Sequence, residues 1–166
     1  PSRPTVYLIG DSTVNTRGGG KLGWGGPFTK LVAPDQAAAH NRARGGRSSR
    51  TYYNEGLWEA VRVKLKPGDF VFMQFGHNDG GGLNRNPTRA SIRGTGKELE
   101  TLVDEKTGKQ EVVRTYGWYL RRYCSDALAK GATPVVFSPI PRNRWSKEGK
   151  VLRSSGDYGK WSRESA

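Results

Sequence analysis

Short apolar runs alternate with amphipathic stretches along the chain. Thr5-Val6-Tyr7-Leu8-Ile9 is apolar and β-branched without alternation, and Gly10 closes it. That pattern predicts a strand buried on both faces. Pro27, ahead of Phe28, Leu31 and Val32 at helical spacing, predicts a helix that begins at the proline. A weaker strand is expected over 37–41, with Gly45-Gly46 ending that stretch. Leu57, Trp58, Val61 and Leu65 recur at helical spacing within 54–65. A Lys66-Pro67-Gly68-Asp69 turn leads into Phe70-Val71-Phe72-Met73-Gln74-Phe75, the clearest strand in the sequence.

The stretch 80–96 is polar and rich in Gly, Asn and Arg, and reads as a long surface loop. Residues 99–103 and 111–115, flanking polar residues 104–109, predict a hairpin arm. Tyr116, Tyr119, Leu120, Tyr123, Cys124, Ala127 and Leu128 then mark one apolar helical face, stopped by Lys130-Gly131. Pro134-Val135-Val136-Phe137 is the next strand. Residues 156–166 open a further helix, with Tyr158 and Trp161 on one side. Strands alternating with helices predict a parallel α/β sheet covered on both faces. A crossover helix exists to return the chain to another strand, so at least one strand and one helix are expected to be missing at the C-terminal end.

Length and composition narrow the class. At 166 residues the chain is expected to form a single domain, 1–166, incomplete at its C-terminus. No apolar run approaches the roughly 20 residues that span a bilayer. Five Trp and seven Tyr argue against a disordered polyampholyte. The lone Cys124 excludes an internal disulfide framework and a cysteine-rich metal centre, and its place on the apolar helix face predicts a core residue. The net charge of +13 is spread along the chain, and two readings stay open: a polyanionic partner, or a soluble surface that happens to be basic.

In a parallel α/β sheet, ligands bind beyond the carboxyl ends of the strands. Three strand candidates are followed there by Gly10-Asp11-Ser12-Thr13, by Gly45-Gly46-Arg47 and by Gly76-His77-Asn78-Asp79. Together they bring a hydroxyl, backbone-exposing glycines and a side-chain amide to one rim. Acyl transfer to serine needs that set: a nucleophile, and N–H donors aimed at the developing oxyanion.

These blocks resemble the first three of the SGNH (GDSL) hydrolases. Gly76-His77-Asn78-Asp79-Gly80-Gly81, with Asn-Thr-Arg and Gly-Trp-Gly after the serine, is similar to the rhamnogalacturonan acetylesterase group of carbohydrate esterases. The likeness continues through Thr115-Tyr116-Gly117-Trp118-Tyr119 and Ser138-Pro139-Ile140-Pro141-Arg142. It implies a flavodoxin-like three-layer α/β/α sandwich with a parallel sheet, without cofactor or metal. It implies Ser12 as nucleophile, and an oxyanion hole from the Ser12 and Gly46 N–H groups and the Asn78 side chain. An acetylated pectic polysaccharide would be the substrate, and a secreted or periplasmic location would follow from that role. The arginines of the Gly46 loop, Arg47 among them, would meet substrate carboxylates.

One block of the pattern is not found. The family's C-terminal Asp-x-x-His is absent: Asp157-Tyr158-Gly159-Lys160 has Lys in place of His and lies too early. The catalytic Asp and His are therefore expected outside this chain. His77 is expected to tie down its loop, His40 to be a partly buried strand-end residue, Asp11 to anchor a turn, and Asp79 to cap a loop. Gly18-Gly19-Gly20-Lys21 suggests a phosphate loop, but Leu22 stands where a Mg²⁺-binding hydroxyl belongs, which excludes a nucleotide triphosphatase. The Arg/Gly stretch 41–50 lacks interleaved aromatics, and neither nucleic acid nor a membrane is expected as a partner. Two alternatives remain: a non-catalytic basic module binding an acidic polysaccharide, and an SGNH esterase or lipase acting on another ester.

Overall fold

The computed structural model describes residues 3–16, 20, 22–85, 87–103, 107–153 and 155–166. The phosphate-loop candidate at 18–21 and the tip of the hairpin at 104–106 lie largely or wholly outside them.

Four parallel strands form the sheet: β1 (Thr5–Gly10), β2 (Ala38–Asn41), β3 (Phe70–Gln74) and a later strand, Thr133–Val136. Their order is the edge strand β2, then β1, β3 and Thr133–Val136. Between β1 and β2 lies α1 (Gly25–Leu31), and between β2 and β3 lie α2 (Ser49–Asn54) and α3 (Leu57–Arg62). After β3 come the antiparallel pair β4 (Leu99–Val103) and β5 (Gln110–Arg114), then α4 (Tyr116–Ala129). Thr133–Val136 is β6, and α5 (Tyr158–Glu164) follows it.

Side chains alternate across the sheet and so feed two cores. Tyr7, Ile9, Val71 and Met73 pack with Tyr52, Trp58, Val61 and the α4 residues Tyr116, Tyr119, Leu120 and Tyr123. On the other face Val6 and Leu8 pack with Val14, Trp24, Phe28 and Phe72. Both faces are covered, which is why β1 and β3 read as continuous apolar runs.

Local chemistry starts and stops the helices. Ser48 and Thr51 form a reciprocal capping box at the start of α2. The Thr115 hydroxyl accepts from the Trp118 amide at 3.1 Å and caps α4.

Several expectations change. The helix expected over 54–65 is the shorter α3 (Leu57–Arg62), and a separate, unexpected helix α2 precedes it; Gly56 turns left-handed (φ 74°) between them. Helix α1 begins two residues before Pro27. Leu31 is 83% exposed and Leu128 62%, so neither belongs to a core-facing stripe. His40 is exposed rather than partly buried: β2 is the sheet edge, and the imidazole lies across it from Tyr7, ring centroids 5.8 Å apart. No helix among the described residues is long and apolar enough to cross a membrane.

Candidate active site

The rim at the carboxyl ends of β1 and β3 is held by short polar contacts. Gly10 pairs in register with Gln74, which sets the two following loops side by side. A Cβ on Gly10 would come 2.5 Å from the Gln74 carbonyl and 2.6 Å from Val14, so only glycine fits at this exit from the strand. Asp11, 1% exposed, then accepts from the Thr13 amide at 2.8 Å and folds residues 11–13 into an Asx-turn. Asp11 thus anchors the turn, as expected. The Thr13 hydroxyl stands 2.8 Å from Asp11 Oδ1 and 2.9 Å from Gln74 Oε1. Its one proton serves either oxygen in turn. Gln74 Oε1 also accepts from the Trp24 indole at 2.8 Å, and Gln74 Nε2 donates to the Ser138 carbonyl at 2.7 Å. The network locks the ends of β1, β3 and β6 together, while Ser12 at the turn's crest is exposed.

The second loop docks on the first. The Arg44 amide donates to the Gly10 carbonyl at 2.9 Å, carrying Gly45 and Gly46 alongside the β1 exit. Gly46 is left-handed (φ 80°) with open space where a Cβ would stand, so its backbone angle, not crowding, favours glycine. Neither the Ser12 nor the Gly46 N–H has a hydrogen-bond partner among the described residues.

The third loop meets the second through Asn78. Its Nδ2 donates to the Arg47 carbonyl at 2.9 Å, which fixes the plane of the amide. A primary amide carries two N–H bonds, so one remains beyond this contact. The Arg47 guanidinium turns away to Glu55, Nε to Oε2 2.8 Å. Arg47 therefore meets this rim through its carbonyl.

Asp79 is wholly buried and fastens the third loop to α2. It accepts from the Ser49 amide (3.1 Å), the Ser49 hydroxyl (2.5 Å) and the Ser91 hydroxyl (2.9 Å). Burial pushes its carboxyl up to about 6, against the lowering pull of those hydrogen bonds and with a smaller push from Asp11. Its reach across 30 residues exceeds that of a loop cap. His77 ties its loop to the segment after β6 through Nε2 and the Ile140 carbonyl, 2.8 Å apart. The Arg142 guanidinium donates to the His77 carbonyl at 2.7 Å.

Two supports were not legible beforehand. Arg50, 1% exposed, forks onto both oxygens of Glu111 at 2.6 Å and donates to the Ala90 carbonyl at 2.8 Å. In the sequence it looks like one more residue of an Arg/Gly stretch. Gln74 carried a faint signal, an amide ending an apolar strand. Cys124 is buried, and burial pushes its thiol up to about 11. Among the described residues no group of His, Cys, Asp and Glu is disposed to hold a metal ion.

No protein-family model matches the chain. It is 37% identical over 142 residues to a rhamnogalacturonan acetylesterase of Emericella nidulans, covering 85% of this chain and 54% of that protein. It is 34% identical over 155 residues to YesY, a probable rhamnogalacturonan acetylesterase of Bacillus subtilis, covering 92% of this chain and 61% of that one. The chain thus spans a little over half the length of these curated relatives. In fold it is similar to the crystal structure of YxiM from Bacillus subtilis, with a TM-score of 0.72 at 24% identity over 99% of this chain and 41% of that one.

Proposed function

We infer that the chain is a rhamnogalacturonan acetylesterase-like member of the SGNH hydrolases and carries the nucleophile and oxyanion loops of an esterase acting on an acetylated pectic polysaccharide. The observation that carries this reading is one rim with an exposed Ser12 hydroxyl, two unpartnered N–H groups at Ser12 and Gly46, and the oriented Asn78 amide.

Ser12 Oγ attacks the acetyl carbonyl carbon and its proton passes to a base. The carbonyl oxygen becomes an oxyanion held by the two N–H groups and by the free N–H of Asn78. Collapse breaks the bond to the sugar oxygen, which leaves with a proton, and an acetyl-serine remains. Water then attacks the acetyl-serine, releasing acetate and restoring the serine.

This reading gives neither histidine of the sequence the base's role: His40 lies on the edge strand β2, and His77 Nε2 is bound to the Ile140 carbonyl. The proposal gives that role to sequence beyond these 166 residues, within the length of the relatives that the chain does not span. Arg47 would reach a substrate carboxylate only by releasing Glu55, so its contribution here is to aim Asn78. Export from the cell accords with a wall polysaccharide as substrate.

The test is acetate release from acetylated rhamnogalacturonan by the full protein carrying this chain. Ser12→Ala is expected to lower turnover at least about a thousandfold with an unchanged unfolding midpoint. Persistent hydrolysis by that variant would reject the mechanism.

A further inference from the structure

The loop that bears Asn78 also walls a second hollow. Gly76, His77, Gly80, Arg93, Arg142 and Tyr158 line a cleft of about 320 Å³. That lies at the small end of the range for ligand sites. His77 is Asn78's immediate neighbour, so the cleft adjoins the proposed oxyanion hole.

Its chemistry is one-sided. No carboxylate lines it, and neither Arg93 nor Arg142 forms an ion pair among the described residues. Two acids adjoin lining residues in sequence: Asp157, exposed before α5, and Asp79, wholly buried on Ser49 and Ser91. Both guanidiniums are nevertheless held in place. Arg142 donates one N–H to the His77 carbonyl at 2.7 Å, and Arg93 lies 5.6 Å from the centre of the Trp161 ring. An arginine carries five N–H donors, so each keeps most of its capacity for a planar, two-oxygen partner. Tyr158 is 6% exposed, with its hydroxyl shut off from solvent and without a hydrogen-bond partner among the described residues.

We propose that this cleft is a subsite for the carboxylate of a uronic acid unit in the polymer whose acetyl ester is cleaved. Arg93 and Arg142 hold the carboxylate, and Tyr158 forms part of the wall beside them. The proposal rests on the esterase reading above and deepens it. Guanidiniums fix a sugar chain by its carboxylate, so a neighbouring unit, not the acetyl group itself, sets which ester reaches Ser12.

Binding of trigalacturonate, without acetyl groups, tests this by calorimetry on the full protein, with neutral galactotriose as the control. Arg93→Gln with Arg142→Gln is expected to weaken trigalacturonate about tenfold or more and to leave galactotriose unchanged. Arg93→Gln and Arg142→Gln singly are each expected to weaken trigalacturonate severalfold with galactotriose unchanged. The single variants carry the test if the double variant does not fold. Unaltered trigalacturonate affinity in the folded variants, or equal wild-type affinity for both sugars, would overturn the proposal. So would displacement of trigalacturonate by equimolar inorganic phosphate, which would make the cleft a general anion site. Binding needs no turnover: if trigalacturonate binds through these arginines but no acetate is released, the esterase reading fails and the cleft stands.

Discussion

The buried Asp79 makes a quantitative prediction about stability and pH. Its carboxyl titrates at an ordinary 3.8 in the unfolded chain and at about 6 in the folded protein, where desolvation outweighs the hydrogen bonds from Ser49 and Ser91. Between those values the folded state binds the proton more tightly than the unfolded state. Stability contributed by this group is therefore complete below the unfolded value and is lost as pH rises through the folded one. The difference of roughly two pKa units corresponds to about 3 kcal/mol. Asp79→Asn abolishes the titration. Whatever the lost hydrogen bonds cost in that variant, the cost does not depend on pH and cancels from the trend. Urea unfolding, followed by the fluorescence of the five tryptophans, gives both stabilities from pH 3.5 to 7.5. The advantage of wild type over Asp79→Asn is expected to shrink by about 3 kcal/mol across that interval. A constant difference would mean that folding does not perturb the carboxyl. A difference that grows with pH would mean that the serine hydrogen bonds outweigh burial, reversing the argument.

Two further outcomes follow from the rim. Asn78→Ala is expected to lower kcat about a hundredfold to a thousandfold with little change in KM, because the oxyanion exists only in the transition state; a loss confined to KM would count against that role. Glu111→Gln leaves the buried Arg50 guanidinium without its anionic partner and is expected to cost about 2 kcal/mol. That figure is held down because the Glu111 side chain is 37% exposed, and an unchanged urea midpoint would refute it.

Much of this protein lay open in its sequence. The apolar runs at 5–9 and 70–75 announce strands buried on both faces, because a sheet covered on both sides excludes water from every side chain along them. The amphipathic spacing from Tyr116 gives the long helix α4, and the polar residues after β1 and β3 point to the rim where a parallel sheet presents its loops. The three motif blocks single out Ser12, Gly46 and Asn78 through their resemblance to the SGNH pattern, because glycine and small polar residues after a strand make ordinary turns as well. Leu31 and Leu128 misled, since helical spacing states which residues share a face and not whether anything covers it.

Tertiary structure alone decided how the loops are held. Sequence could not show that Arg50 is buried against Glu111, that Arg47 aims Asn78 by its carbonyl while its guanidinium pairs with Glu55, or that Asp79 reaches 30 residues back to Ser49. Periodicity reports which side chains avoid water. The partner of a polar group is chosen by distance in space between segments far apart in the chain, and no local pattern encodes that distance.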